Sequence, residues 1–402
     1  MAHFLKLKPT SCLKEYFKAW CSNRSYGTLA CQSPVKGAKV VVGMSGGVDS
    51  SVAARLLAEQ DIDLSAVFMR NWDTRDESGT DEGCEWKKDW EDVQRVCRVL
   101  DIPCRLIDLS REYWLRVFEP SLRLWESGVT PNPDVWCNRE IKFGALLDRL
   151  PSDLENSLFA TGHYARRVGA FDRVLQKPRP QLHRAIDRVK DQSFYLSSIR
   201  EPALSRTLFP IGHLQKSEVR ELARKYQLPT AERQESMGLC FVGERGRFNK
   251  FLGDYIQPKP GPFIALETGK IVAQHDGLWN YTIGEKKNAI YVVPGTDHPA
   301  LWCTSLIATG WNWIWADSPP NNFKSLDGLR ARVMFRHRML DVAGTIRRLS
   351  DHDVSIVFDE RQKAVAPGQV VAVWDGDWCL GCGTIVEGFQ DEAIHSGFAG
   401  SC

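Results

Sequence analysis

From residue 39 onward, short apolar runs alternate with amphipathic stretches. Lys39-Val40-Val41-Val42 has no polar interruption after its first residue and predicts a strand covered on both faces. It runs directly into Gly43-Met44-Ser45-Gly46-Gly47-Val48-Asp49-Ser50, and Val48 to Glu59 then places Val52, Leu56 and Leu57 on one helical face. Leu64 to Met69 predicts a second strand. Trp86, Trp90, Val93, Cys97 and Leu100 follow at alternating four- and three-residue spacing, the mark of an amphipathic helix. Cys104 to Leu109 predicts a third strand, and Ser157 to Thr161 another that ends at Gly162-His163-Tyr164. Strands alternating with helices imply right-handed crossovers and a parallel sheet covered on both sides.

Beyond about residue 246 the pattern shortens. Pro258, Pro260, Gly261 and Pro262 break the chain, and two-residue alternation takes over at Trp311, Trp313 and Trp315 and at Val354, Ile356 and Phe358. Gln369 to Trp374 is a further β-rich run, so the last hundred or so residues read as a small β-barrel or sandwich.

A chain of 402 residues with 43% hydrophobic content is long enough for two or three cores. Lys plus Arg (52) nearly balances Asp plus Glu (50), which excludes a histone-like polycation and leaves nucleic-acid binding to local patches. Such a patch is expected at Arg166, Arg167, Arg173, Lys177, Arg179, Arg184 and Arg188. Apolar runs stay well short of the roughly 18 residues that span a bilayer, so no membrane partner is expected. Residues 1–38 carry Lys6, Lys8, Lys14, Lys18, Arg24 and Lys36 against the single acid Glu15, the composition of an organelle import segment. Twelve cysteines without a secretory signal predict reduced, mostly buried thiols.

The glycine loop lacks the Gly-Lys-Ser/Thr ending of a kinase-type phosphate loop and the spaced glycines of a dinucleotide fingerprint. Between a strand and a helix, its paired glycines expose backbone N–H groups to phosphate, Ser45 and Ser50 add hydroxyls, and the helix start adds positive potential. Asp49 is expected to hold magnesium or to cap the helix. Two cysteines lie in turn-rich settings downstream, Cys137 in Asn132-Pro133-Asp134-Val135-Trp136-Cys137 and Cys240 in Gly238-Leu239-Cys240-Phe241. Taken singly, a cysteine is more often a small buried hydrophobe than a reagent.

Ser45-Gly46-Gly47-Val48-Asp49-Ser50 resembles the SGGxDS signature of the PP-loop ATP pyrophosphatases, which adenylate a carbonyl oxygen and release pyrophosphate. Asn132-Pro133-Asp134, Cys137 and Asn138 resemble the NPDxxCN motif of the tRNA-specific 2-thiouridylases. Matching stretches at Phe68–Trp72, Thr161–Ala165, Lys190–Ser193, Gly238–Arg245, Tyr281–Gly284 and Ala366–Gln369 run in the same order. The resemblance implies an α/β fold with a PP-loop, adenine nucleotide alpha hydrolase-like parallel-sheet domain, a small central domain and a C-terminal β-barrel. The implied division is a mitochondrial targeting segment at 1–38, an ATP-binding catalytic domain at 39–245, a tRNA-contacting central domain at 246–310 and a tRNA-binding barrel at 311–395.

By the same resemblance, ATP and Mg2+ are the cofactors, and Gly43, Met44, Ser45, Gly46, Gly47, Val48, Asp49, Ser50, Met69 and Gly162 contact ATP. Cys137, Cys240 and Asp134 are catalytic. Cys240 carries a persulfide received from a cysteine desulfurase relay, Cys137 releases its sulfur by forming a disulfide, and Asp134 exchanges a proton. Asn132-Pro133 is expected to set Asp134 and Cys137 on an irregular turn. The tRNA contacts are Asn132, Pro133, Asp134, His163, Lys190, Asp191, Gln192, Arg336 and Gln369, and the substrates are wobble-uridine tRNAs such as those for Lys, Glu and Gln in the mitochondrial matrix.

Departures from the pattern are also visible. Arg332-Val333-Met334-Phe335-Arg336 stands where the family has Lys-x-Arg-Tyr-Arg, which puts tRNA contacts at 334 and 335 in doubt, and Gly284-Glu285-Lys286-Lys287-Asn288 replaces Gly-Gln-Arg-x-Gly. Cys379 and Cys382 form a CxxC without the further ligands that zinc needs. Two rivals follow: a PP-loop amide-forming synthetase of the argininosuccinate type, and a tRNA-binding protein without catalysis.

Overall fold

The computed structural model describes residue 34 and residues 36–72, 85–150, 154, 157–172, 175–234, 248–281, 285–286, 289–317, 319–320, 323, 325 and 327–390. Residues 1–33 and 35 of the segment expected to direct import, and Cys240 with its flanking motif, lie outside the described residues, as does Arg173 of the basic stretch.

The first sheet is built from β1 (Lys39–Met44), β2 (Asp63–Arg70), β3 (Cys104–Asp108), β4 (Leu158–Thr161) and β7 (Thr207–Leu208) in the order β3-β2-β1-β4-β7. Every pairing is parallel, as the alternating pattern requires. Val40, Val41 and Val42 are wholly buried because β1 is covered on both faces. Val40 and Val42 pack with Leu57 of α1 (Val48–Ala58) and with Val93 and Cys97 of α2 (Glu85–Leu100). Val41 turns to the opposite core, shared by Phe143, Phe159 and Cys137.

The NPD segment departs from the expected irregular turn. Asn132 caps a helix, accepting a hydrogen bond from Val135 N–H at 3.3 Å, and Pro133 opens α3 (Pro133–Trp136) at its first position. A capping Asn followed by Pro with fixed φ is a helix start, with Asn132 as the cap and Pro133 as the first helical residue. After Trp136 the helix widens into a π-helical stretch, Cys137–Ala145.

The central sheet has the order β10-β11-β8-β9, from β8 (Gly261–Ala265), β9 (Ile271–His275), β10 (Glu285–Lys286) and β11 (Ala289–Val292). The C-terminal barrel begins with β12 (Trp302–Trp313), so the expected boundary between 310 and 311 falls inside a strand. Gly310 (φ +60°) sits where the β12 register shifts, which makes it a bulge and not a domain break. β12, β15 (Val354–Lys363), β14 (Val342–Arg348), β13 (Leu329–Met334), β16 (Val370–Asp375) and β17 (Trp378–Phe389) form a ring that β12 and β17 close.

One hairpin of the catalytic region joins that barrel. β5 (Ala165–Asp172) pairs with β6 (Lys177–Arg184), and β6 pairs with the start of β17 through His183 and Leu182. The basic stretch expected to hold phosphates lies along and just after this hairpin, and most of its described charges face protein acids. Arg179, whose side chain is fully buried, pairs with Asp172, Glu201 and Asp317, while Arg166 and Arg188 both pair with Asp377. Arg167 donates to Ser205 O, and Arg184 reaches Asp341 and lies over the Trp374 ring. A charge run at a domain junction is satisfied by complementary charges across it.

Candidate active site

β1 delivers Ser45 at the carboxyl edge of the parallel sheet, where α/β sheets of this kind receive ligands. Inside the loop, Ser45 Oγ and Ser50 Oγ lie 3.2 Å apart, and the Ser50 and Ser51 hydroxyls donate to Gly47 O at 3.1 and 2.8 Å. Gly46 holds φ +78°, and a Cβ there would stand 2.8 Å from the Asp89 carbonyl oxygen, so the turn requires glycine. α1 follows with Gly47 at its cap and no side-chain acceptor, leaving its first N–H groups to an anion. Met44 and Val48 are buried in the flanking cores and Gly43 lies under Phe159, so any nucleotide contact from them is through backbone.

Asp49 neither caps α1 nor stands open. Its carboxylate accepts from Lys216 Nζ at 2.6 and 2.8 Å and from the Tyr164 hydroxyl at 3.0 Å. Lys216 opens α4 (Lys216–Lys225), which packs its Val219, Leu222 and Ala223 against Val48, Val52 and Leu56 of α1. Nothing in the spacing of the chain signalled this partner, because 167 residues separate the pair. The described residues contain no cluster of three or more His, Cys, Asp or Glu suited to a metal ion. A magnesium held by protein therefore does not fit Asp49 as it stands.

Gly162 follows β4 and abuts the loop: a Cβ there would lie 2.6 Å from Ser50 N. His163, expected at the tRNA surface, is buried. Its Nδ1 lies 2.8 Å from Thr161 Oγ1, its Nε2 lies 3.5 Å from Lys142 Nζ, and its ring meets Phe143 and Phe209. Burial, then the nearby ammonium, pushes its pKa well below the ordinary value. The ring thus links the sheet edge to Lys142, which shares the π-helical stretch with Cys137.

Cys137 is buried, with Asn71 Nδ2 4.0 Å from its Sγ at the end of β2. Met69, expected at the adenine, is half-buried on the same strand and packs on the core that contains Cys137. Asp134 is half-buried. Burial raises its pKa, against the opposing pull of Lys142. Asn138 Nδ2 donates to Asp134 O at 3.0 Å and to Tyr195 O at 3.3 Å. The Tyr195 phenol is pushed up to about 12 by burial and by Asp134, against the pull of Arg338, and its ring lies 4.4 Å from that of His337. Barrel residues 337 and 338 therefore reach the Asp134 neighbourhood, which the sequence pattern had not indicated.

The remaining expected tRNA residues divide sharply. Arg336 is exposed over Phe335, open to a polyanion. Met334 and Phe335 are buried, and Met334 Sδ accepts from Arg184 at 3.1 Å, so neither side chain is a surface contact. Asp191 is also buried and binds Ala185 N–H, Ser193 N–H and the Ser193 hydroxyl, while Gln192 Oε1 accepts from Tyr164 N–H at 2.9 Å. Both hold the turn that carries half-buried Lys190. Gln369 Nε2 donates to Thr130 O and Pro131 O at 2.9 and 3.2 Å, and its Oε1 lies 3.5 Å from Asn132 Nδ2. These two residues join the barrel to the head of α3, and Pro133 is buried behind them. Cys379 and Cys382 are buried in β17, which raises both thiol pKa values, Cys382 to about 11.

Residues 38–244 match the family described as tRNA methyl transferase HUP domain, 249–292 the tRNA methyl transferase PRC-barrel domain and 303–385 the aminomethyltransferase beta-barrel domain. The tRNA-specific 2-thiouridylase MnmA of Bacillus subtilis (strain 168) is 40% identical over 375 residues, covering 88% of this chain and 96% of the relative. The protein of the same name from Bacillus licheniformis is 41% identical over 373 residues, with the same two coverages. A solved 4-thiouridine synthetase–RNA complex with bound ATP is 16% identical with a TM-score of 0.32, over 54% of this chain and 50% of that one, too partial a likeness to carry weight.

Proposed function

Since the chain belongs to the tRNA-specific 2-thiouridylase family, we propose that it is an ATP-dependent tRNA 2-thiouridylase that acts on wobble uridine in mitochondrial tRNAs, including those for Lys, Glu and Gln. The observation that carries this reading is the run of contacts from the nucleotide loop through Gly162, His163 and Lys142 to the helix bearing Asp134 and Cys137.

ATP lies with its phosphates on the N–H groups of the loop and of the first turn of α1, and the uracil 2-oxygen attacks the α-phosphorus. Pyrophosphate leaves, and the 2-oxygen becomes part of an AMP leaving group. Cys240, loaded as a persulfide by a desulfurase relay, supplies the terminal sulfur that bonds to the ring carbon, and AMP departs with the former carbonyl oxygen. The Cys137 thiolate attacks Sγ of Cys240. The electron pair of the broken S–S bond stays on the sulfur now attached to the base, and a Cys137–Cys240 disulfide remains. A dithiol reductant returns two electrons and resets the pair.

Asp134, with its pKa raised by burial, takes up a proton as the thiol is activated. Arg336, Arg338 and Arg347 are exposed on the barrel and fit the tRNA backbone as phosphate partners. The acid-poor segment at 1–38 supports a matrix location.

Single-turnover assays with ATP, persulfide donor and tRNA test the scheme. Cys137→Ser is expected to release pyrophosphate on tRNA addition yet yield no 2-thiouridine. Full thiolation by that variant, or unchanged wobble 2-thiouridine in mitochondrial tRNA from cells lacking the protein, refutes it.

A further inference from the structure

A loop that cradles phosphate must turn its N–H groups to the anion, so its carbonyl groups need donors on the protein side. Gly47 O has them, from Ser50 and Ser51. Gly46 O is served from far along the chain: Arg233 Nη1 donates to it at 3.1 Å. In a trans peptide the N–H points opposite to the C=O. Fixing Gly46 O therefore directs Gly47 N–H to the opposite side, where it donates at 3.4 Å to the Oγ of exposed Ser45, a long bond that a phosphate oxygen can replace. The Arg233 guanidinium is itself held, paired with Asp89 through Nη2 and with Asp92 through Nη1, both on α2. The same helix contributes the Asp89 carbonyl that closes over Gly46.

On the reading that ATP occupies this loop, we infer that Arg233, anchored by Asp89 and Asp92, is a positioning residue for the ATP phosphates, and that it acts by holding the Gly46–Gly47 peptide plane. Arginine suits the task because its planar fork serves a carbonyl and two carboxylates at once, which a lysine ammonium does less well. Asp89 and Asp92 keep the guanidinium on the protein side of the loop.

The test measures KM for ATP and for tRNA separately in the full chain, together with the rise in unfolding temperature produced by pyrophosphate. Arg233→Met is expected to raise KM for ATP about tenfold, leave KM for tRNA within about twofold and abolish the pyrophosphate shift. Arg233→Lys recovers part of the loss, and Asp89→Asn, which keeps the arginine but removes one anchor, gives a smaller change in the same direction. If Arg233→Met fails to fold, those two variants carry the test. Wild-type KM for ATP in the variants, or equal changes in both KM values, overturns the inference while leaving the proposed reaction standing. A wild-type protein with no saturable dependence on ATP removes the reaction and this inference together.

Discussion

Gly162→Ala isolates the contact between the sheet edge and the nucleotide loop. The added methyl would meet Ser50 N at 2.6 Å and the Asp49 carbonyl carbon and Ser50 Cα at 2.8 Å. All three are backbone atoms, so no flexible side-chain tip can swing aside. The shortest approach is about 0.8 Å inside ordinary contact, and the start of α1 must retreat by a comparable amount. Gly162 does not occupy the left-handed region, so the effect is steric and carries no backbone strain. Overpacking of this kind costs about 1–3 kcal/mol of stability. Displacing the first N–H groups of α1 by nearly an ångström is expected to cost about a hundredfold in kcat/KM for ATP. Gly344→Ala is the control: its Cβ would meet Val357 O at 2.8 Å, a similar clash inside the barrel. It should lower the urea midpoint and leave KM for ATP unchanged. Steady-state thiolation under varied ATP, with urea unfolding of each variant, reads both quantities. Wild-type ATP kinetics in Gly162→Ala, or the same kinetic loss in Gly344→Ala, refutes the reasoning.

Two further outcomes test the junction and its buried imidazoles. Arg179→Met leaves Asp172 buried without its cation and is expected to destabilise the protein by about 3–5 kcal/mol in urea unfolding, and a loss under about 1 kcal/mol would show that the cluster is not a structural pin. His183 and His213 are depressed to about 4, each mainly by burial, and His163 is also held well below 6.5. Between those values and 6.5 the unfolded chain binds more protons than the fold does, so stability is complete above pH 6.5 and falls on acidification by up to about 1.4 kcal/mol per histidine per pH unit. Burial raises the pKa of Asp134 and of Asp191, which opposes part of that loss. Urea midpoints should drop from pH 7 to pH 5 and drop less in His183→Gln, whereas a flat wild-type profile contradicts the assignment.

Local pattern carried much of the first domain. Val40 to Val42 and the amphipathic face from Trp86 to Leu100 each state burial within a few residues, and the structure places them as read. Loop chemistry was legible for the same reason: Gly46 needs its left-handed φ and its lack of a Cβ because of immediate geometry. What escaped was set by contacts distant in sequence. Asp49 reads as a magnesium ligand or helix cap until Lys216 arrives with α4, and Gly46 O needs Arg233, brought to it by the packing of α2. The NPD motif was misjudged for another reason. Asn and Pro signal turns and helix starts alike, and the buried Val135, Cys137 and Ile141 that follow decide for the helix.

The arginines of the β5–β6 hairpin show why a basic run is weak evidence for nucleic acid. A phosphate-binding face needs cations without internal partners, yet Arg166, Arg179, Arg184 and Arg188 each meet an acid of the barrel or its approach. Their effect is to fix the barrel against the catalytic sheet. Gln369 is bound to Thr130 and Pro131, and His337 lies against Tyr195 beside Asp134, so the barrel forms one wall of the site. A base brought to Asp134 and Cys137 therefore meets residues of both domains, and weakening the hairpin junction should impair thiolation before it exposes either core. Exposed barrel cations with no ion pair to an acid among the described residues, such as Arg336, Arg338 and Arg347, are the better candidates for tRNA, and not the longest run of positive charge in the chain.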